Sequence, residues 1–546
     1  MRNRVMLAIT TLLLCTTCGG VAVWAADSGQ VVGLRRLSEQ EYRNSVADIF
    51  GKDIAVQGMF EPQIRISGLV ATSTSVLSVT PAGFESFSKM ADSIAVQVTD
   101  EGHRGKLVSC APKSAKASDD ACAAEFFSQY GRMLFRRPLT ADELKVRVNL
   151  ARAMTKSSGD FYTGLRFGLA QMLQSPNFLF RKERAVPAGG KVLTLEPYSR
   201  ASRLSYLMWD TTPDTELLRA AETGELNTAA GLEKQVDRLL DAPRLEYGMR
   251  AFFTDMLELG TFDTVSKDAL IYPKWGGAMP PSAKEETLRT VINLALRENG
   301  DMRDLMTTHK TFINRSLAAI YDVDFSFDGD WMPYEFPKDS GRSGIVTQIS
   351  MLSMFSHPGQ SSPTKRGVAL MDIFLCEPTP TPPANVDFSA INDTSGPLKT
   401  VRERLMAHAT TPTCASCHTH SDPIGLSLEG FDTIGGRRLT ENGQRIDISA
   451  TLQGKKFQDG TGLGQYLHDN PKFPACMARK LYAYAKGLDT EEVQPSVFRA
   501  AYKSFTDSGY RMRALLKGLA LSPEFFNTSA PLEEASSGQT KLASSP

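Results

Sequence analysis

The spacing of apolar residues along much of the chain is that of amphipathic helices. Residues 38–41, Ser-Glu-Gln-Glu, form the capping box that starts a helix. The apolar residues that follow share one helix face: Tyr42, Val46, Ile49 and Phe50. Gly51 then stands where a C-cap is expected. This stretch predicts one short helix near the start of the chain.

The same pattern recurs farther along. A second helix start is predicted at residues 140–143, where Thr and Glu have capping-box spacing. Pro197 opens another stretch with apolar residues at helical spacing, which ends near Trp209. Residues 213–258 and 281–298 have the pattern of further amphipathic helices. The predicted fold class is therefore mainly α.

Composition divides the chain into segments. Residues 377–386 carry prolines at 378, 380, 382 and 383, which predicts an extended, stiff linker. A chain of 546 residues exceeds what one core usually organises, so we expect several domains. The predicted segments are a signal peptide (1–26), an N-terminal helical domain (27–105), a second helical domain (106–190), a central helical domain (191–340), a C-terminal region (341–528) and a disordered tail rich in Ser, Ala, Gly and Glu (529–546).

The N-terminus has the composition of a secretory signal. Arg2 and Arg4 precede an apolar stretch at residues 6–14, and small residues end this region at Ala25 and Ala26. A basic start, an apolar centre and a small-residue cleavage site together favour export and cleavage. We expect the mature protein in the periplasm, on the surface or outside a Gram-negative bacterium.

Two alternatives for this region stay open. Residues 5–26 carry no charge, so the stretch is also compatible with an uncleaved membrane anchor. Cys15 or Cys18 is compatible with lipoprotein anchoring, although Leu14 and Thr17 are poor neighbours for it. No later stretch is apolar enough to predict a transmembrane segment once the signal is removed.

The overall charge argues against a nucleic-acid partner. The chain has 61 Lys and Arg against 61 Asp and Glu, and it contains no long basic run. Binding to a polyanion needs a basic surface, so no nucleic acid is expected as a partner.

The cysteines suggest disulfides. Removal of Cys15 and Cys18 leaves six, and an even set in an oxidising compartment favours pairing. Cys110 and Cys122 are close in sequence, so a local disulfide is predicted between them within the segment 106–190. If residues 414–418 hold a cofactor, Cys376 and Cys476 are left to pair by elimination.

The strongest chemical signal is Cys-x-x-Cys-His at residues 414–418, the attachment signature of c-type haem. Two thiols about one helical turn apart can add to two vinyl groups on one porphyrin edge, and His418 can then ligate the iron. The alternatives for Cys414 and Cys417 are a disulfide, a thioredoxin-like redox pair, or a zinc site with His418 and His420. No βαβ pattern surrounds the motif and a second Cys-x-x-Cys is missing, so one covalent haem c is the favoured prediction.

The sixth iron ligand is not defined by the sequence. Met477, His357 and His420 are the candidates, with His408 and His468 as rivals. An open sixth position is an equal alternative, and it would favour peroxidase-like or small-molecule chemistry.

The residues after the motif offer partners for the proximal imidazole. A Pro or backbone carbonyl in residues 421–432 is one possible acceptor for the Nδ1–H group of His418. Asp422 and Asp432 are others, or they cap turns, which is the commoner use of Asp.

Several stretches resemble the planctomycete-type cytochrome c proteins, a family of exported multidomain proteins of unknown function. The matching stretches keep the family's order: LRRLSEQEYRNSV (34–46), FRRPLT (135–140), SPNFLFR (175–181), ASRLSY (201–206) leading to PD (213–214), SPTKRG (362–367), CASCH (414–418), DPIG (422–425) and FDTIG (431–435). The resemblance implies a multidomain helical body with a C-terminal cytochrome c-like haem module in residues 341–528, and no established reaction.

The chain departs from the family at two points. Some relatives carry an additional N-terminal cytochrome domain with its own haem motif, which is not visible here. A Met often follows the haem-motif His in relatives, whereas this chain has Thr419, His420 and Ser421.

Two functional hypotheses follow. The first is an exported monohaem protein that transfers electrons or oxidises an unknown substrate, with an unknown redox partner. The second is a non-redox cell-envelope protein, such as a glycan or partner binder, in which Cys414 and Cys417 form a disulfide or a metal site.

Overall fold

The computed structural model describes residues 30–76, 78–380, 396–410 and 412–529. The side chains of residues 263, 412–414, 416 and 529 are not part of that description. The predicted signal peptide with Cys15 and Cys18, most of the proline-rich linker, and the predicted tail from residue 530 onward lie outside the described residues.

The described chain is mainly helical, as the apolar spacing predicts. The helices are α1 Glu39–Phe50, α2 Val70–Val76, α3 Pro81–Thr99, α4 Arg104–Leu107, α5 Asp120–Leu134, α6 Ala141–Ser158, α7 Phe161–Leu173, α8 Pro176–Leu179, α9 Pro197–Trp209, α10 Thr215–Glu222, α11 Ala229–Asp241, α12 Leu245–Met256, α13 Met279–Ile292, α14 Arg315–Tyr321, α15 Ile349–Met354, α16 Pro363–Leu375, α17 Val401–His408, α18 Pro412–Leu426, α19 Gly460–His468, α20 Lys472–Lys486, α21 Pro495–Asp507, α22 Met512–Leu521 and α23 Pro523–Phe526.

The strands are short and antiparallel. They are β1 Gln30–Arg36, β2 Phe180–Gly189, β3 Val192–Leu195, β4 Lys310–Ile313, β5 Met332–Glu335, β6 Thr440–Glu441, β7 Gln444–Arg445, β8 Ala450–Leu452, β9 Lys455–Phe457 and β10 Asn527–Ser529.

The predicted helix starts are confirmed by their cap geometry. In α1, Ser38 Oγ accepts the Glu41 N–H at 3.0 Å, and the Glu41 carboxylate accepts the Ser38 N–H at 2.8 Å. Thr140 and Glu143 make the same reciprocal pair at the start of α6. Each box satisfies two backbone donors that the helix itself leaves without a partner.

One four-stranded sheet, in the order β1-β2-β3-β10, joins distant parts of the chain. Asn527 of β10 pairs with Thr194 of β3, so the C-terminal end returns to a hairpin near residue 190. Arg181 of β2 forms a buried ion pair with Glu41 of α1 at 2.9 Å. The sheet and this pair hold the N-terminal helices against the remainder of the described chain.

Two large hydrophobic cores account for most of the buried apolar residues. The first draws on residues 37–206 and lies mainly among α1, α3, α5 and α7. The second draws on residues 69–526, so the predicted segments 191–340 and 341–528 share one core rather than each having its own. Their boundaries as separate folding units remain predictions.

Both predicted disulfides are present. Cys110 bonds to Cys122, and Cys376 bonds to Cys476 across 100 residues of sequence. The second bond ties the end of α16 to α20, on either side of the Cys-x-x-Cys-His motif. A disulfide closing so long a loop restricts the unfolded chain strongly.

Within the described ranges, no helix has the length and apolar character needed to cross a bilayer.

Helices α16 and α18 cross so closely that their backbones are in contact. A Cβ atom on Gly367 of α16 would collide with the carbonyl oxygen of Ser421. A Cβ atom on Gly425 of α18 would collide with the carbonyl oxygen of Pro363. Only glycine permits two backbones to approach this closely, so these two positions determine how α18 is placed.

The crossing is reinforced by a fully buried ion pair. Arg366 of α16 lies 3.3 Å from the carboxylate of Glu429, and neither side chain is more than 1% exposed. The Arg366 guanidinium also donates to the carbonyl oxygens of Phe431 at 3.1 Å and Asp432 at 2.6 Å. These bonds compensate for the desolvation of the charge and hold the turn that follows α18.

We predict that Gly425→Ala destabilises the protein. The added methyl group forces α16 and α18 apart, which costs about 3 kcal/mol, the upper end of the usual penalty for overpacking. Differential scanning calorimetry of the mature chain should show a lower unfolding temperature. Gly430→Ala is the matched control, because a Cβ atom there makes only ordinary contacts with Ile448 at 3.6 Å. Equal unfolding temperatures for the two variants would contradict the close-contact interpretation.

Candidate functional site

The Cys-x-x-Cys-His motif lies in α18, which runs from Pro412 to Leu426. Cys414 and Cys417 are three residues apart and therefore about one helical turn from each other. Cys417 is half-buried, and the side chain of Cys414 lies outside the described part of the structure. The helix continues through Pro423, so residues 414–426 form one rigid element rather than a motif followed by a loop.

The imidazole of His418 is oriented by a carboxylate. Its Nδ1–H group donates to Asp422 Oδ2 at 2.8 Å, and the two side chains are only 10% and 8% exposed. This bond raises the pKa of His418, against the opposing effect of burial. With Nδ1 engaged in this way, Nε2 is the nitrogen that faces a metal or another partner.

Asp422 is in turn held by α16. Thr364 Oγ1 donates to Asp422 Oδ1 at 2.8 Å, so each carboxylate oxygen has a different partner. A chain of two hydrogen bonds therefore runs from the first turn of α16 through Asp422 to His418. The role of Thr364 was not identified from the sequence, although it lies in the SPTKRG stretch.

Asp432 caps a turn, which is the second role that the sequence allows for it. Its Oδ1 accepts the backbone N–H groups of Ile434 at 2.9 Å and Gly436 at 2.8 Å. It therefore caps the turn after α18, and Asp422 alone of the two bonds His418.

The other proposed iron ligands lie in varied environments. Met477 is 1% exposed on α20, enclosed among apolar side chains of the second core. The Nδ1 atom of His357 lies 3.3 Å from Lys365 Nζ, and burial together with Lys365 lowers the pKa of His357. His420 is exposed beside Thr419. His468 pairs with Asp469 at 2.8 Å and with Asp304 at 3.4 Å.

His408 is the histidine whose ring lies against His418. It ends α17, and its ring centroid is 5.3 Å from that of His418, with the two planes at 78°. Helix α17 is anchored near this contact by a buried ion pair of Arg404 with Glu441 at 2.8 Å. Val401 and Leu405 of α17 also pack against Leu426 of α18 in a small apolar cluster.

A cavity of about 40 Å³ lies between the start of α16 and α17, and Thr364 and Leu405 are among its lining residues. Among the described side chains, which do not include that of Cys414, no three His, Cys, Asp or Glu residues are grouped as a metal site. The described geometry at α18 therefore consists of one oriented imidazole, one half-buried thiol and a second imidazole on α17.

Comparison with known proteins matches five family models along the chain, each described as a protein of unknown function. They are DUF1587 at residues 35–100, DUF1595 at 122–183, DUF1592 at 195–323, DUF1588 at 342–441 and DUF1585 at 453–525. No curated protein and no solved structure gives a significant match. This set of models is that of the family which the sequence resembles, and the chain belongs to the planctomycete-type cytochrome c proteins.

Proposed function

We propose that the protein is an exported monohaem c-type cytochrome that transfers electrons in the periplasm or at the cell surface. The haem is attached to Cys414 and Cys417, with His418 as the proximal ligand. The observation that carries this proposal is the bond between His418 Nδ1–H and Asp422. A metal-binding histidine usually donates a hydrogen bond from the N–H group of its second ring nitrogen to a carboxylate or carbonyl, which fixes the tautomer and the ring orientation.

The residues present fit this cofactor. Two thiol positions one helical turn apart precede an imidazole whose Nε2 faces away from its carboxylate partner. When bound, a haem supplies one-electron redox chemistry at the iron. The protein would hold this group through Cys414, Cys417 and the imidazole of His418, which the carboxylate of Asp422 makes more basic, and the α16–α18 frame would keep the two side chains in place.

We also propose His408 as the sixth ligand. His408 would be the second imidazole within reach of a group held by His418, because the centroids of the two rings are 5.3 Å apart. Met477 would have to leave the second core to take the same role.

The alternative is a non-redox envelope protein in which the cysteine pair is a disulfide or a metal site. The oriented imidazole favours the haem protein over a disulfide, since a disulfide at these cysteines needs no histidine. A site for another metal would use the same imidazole, so an experiment must separate a haem from another metal at this position.

We predict that the mature chain carries one covalent haem when it is produced with a cytochrome c maturation system. The pyridine haemochrome spectrum should show about one haem per chain, and Cys414→Ala/Cys417→Ala should reduce this to background, because both thioether bonds are lost. Ser416→Ala, at a position between the two cysteines, is the matched control and should retain haem. Absence of covalent haem in the wild-type chain would refute the proposal.

The bond to Asp422 predicts an effect on redox potential. In Asp422→Asn the imidazole loses its carboxylate acceptor and becomes a weaker donor to ferric iron. We expect the potential to rise by about 60 mV, the equivalent of a tenfold change in a one-electron equilibrium. Spectroelectrochemical titration measures it. Asp447→Asn is the control, because Asp447 accepts from Ser449 and not from His418; an equal rise in both variants would argue against an axial effect.

Replacement of His408 tests the sixth ligand. His408→Ala should convert a low-spin ferric haem into a high-spin one, visible by electron paramagnetic resonance, and added imidazole should restore the low-spin signal. His420→Ala and Met477→Leu serve as controls and should remain low-spin. A low-spin spectrum in His408→Ala, or its loss in Met477→Leu, would assign the ligand elsewhere while leaving the haem itself in place.

A further inference from the structure

A large cleft, separate from the Cys-x-x-Cys-His motif, lies beside the turn that follows α18. It is a cleft of about 710 Å³ between the loop before α13, the end of α14, the segment after β5, and residues 432–437. Ligand sites commonly have volumes of roughly 300–1,000 Å³. The haem motif contributes no residue to this cleft.

One wall of the cleft is aromatic and rigid. Tyr321 and Tyr334 each pack edge-on against Phe336, with ring centroids 5.0 Å and 5.2 Å apart. The hydroxyl of Tyr321 bonds the buried carboxylate of Glu286 at 2.7 Å, which fixes the ring from behind. The guanidinium of Arg342 lies 4.5 Å from the centre of the Tyr321 ring. These contacts hold the aromatic rings in place before any ligand arrives.

Polar groups stand beside this wall. Asp432 uses Oδ1 for the turn, which leaves Oδ2 to accept a hydrogen bond from a ligand. Arg437 is exposed and donates through Nη1 to the Ser340 carbonyl at 2.6 Å, so its remaining N–H groups are held at the edge of the cleft. Tyr272 also lines the cleft and lies half-buried on the loop before α13.

The charges around the cleft restrict the class of ligand. The carboxylates of Asp322 and Asp432 disfavour an anionic ligand. The positive charges of Lys274, Arg342 and Arg437 disfavour a cationic one. A hydrocarbon would remove water from these charged groups without offering them any hydrogen bond, which is costly. A neutral polyhydroxylated ring satisfies both requirements, because its hydroxyls donate and accept while its C–H face packs on aromatic rings.

We infer that the cleft lined by Tyr272, Tyr334, Phe336, Asp432 and Arg437 binds a neutral oligosaccharide. The half-buried rings of Tyr272 and Tyr334 supply platforms for sugar rings, the buried ring of Phe336 supports Tyr334, and Asp432 with Arg437 bonds the hydroxyls. The site is independent of the proposed haem, since none of its residues belongs to α17 or α18.

Isothermal titration calorimetry of the full mature chain tests the inference. The probes are the neutral tetrasaccharides of β-1,4-glucose, β-1,4-xylose, β-1,4-mannose, α-1,4-glucose and β-1,3-glucose. Tetragalacturonate and tetraglucosamine are the anionic and cationic comparators. We expect saturable binding of at least one neutral probe and weaker binding of both charged ones.

Variants locate the binding. Tyr334→Ala should weaken binding about tenfold, because an aromatic stacking contact is lost, whereas Tyr334→Phe should retain most of it. Tyr502→Ala, at a half-buried tyrosine of α21, is the matched control and should bind as the wild type. Cys414→Ser/Cys417→Ser should also bind normally, which separates this site from the haem proposal. No binding of any neutral probe, a preference for a charged probe, or unchanged affinity in a folded Tyr334→Ala would overturn the inference.

Discussion

The backbone contact between α16 and α18 is the constraint on which the site depends. Gly367 and Gly425 let the two helices approach until carbonyl oxygens fill the space of a side chain. At this distance Thr364 reaches Asp422, and Asp422 reaches His418. The direction of the imidazole is therefore set by helix packing as well as by its own rotamer.

The same crossing organises the turn beyond α18. Arg366 is fully buried and bonds Glu429 together with backbone carbonyls of the turn. Burying a charge is costly unless its hydrogen bonds are satisfied, so the turn and the guanidinium depend on each other. This turn presents Asp432 to the cleft. The motif on α18 and the cleft are thus separate sites built on one rigid frame.

Local features of the fold were predictable because they depend on neighbouring residues. The capping boxes at Ser38 and Thr140 and the start of α9 at Pro197 follow from short-range hydrogen bonding and backbone restriction. The sharing of one core by distant segments was less accessible. The second core gathers residues 69–526, and burial across such separations leaves no short pattern in the sequence.

The sequence alone determined the family, the mainly helical fold and the haem-type motif, since these are carried by adjacent residues. Tertiary structure decided the surroundings of the motif. Asp422 is four residues from His418 and shares its helix face, but the sequence left Asp432 and a backbone carbonyl open as acceptors for Nδ1–H as well. The position of His408 and the aromatic cleft depend on packing between separate elements, which fixes distances that no spacing in the sequence encodes.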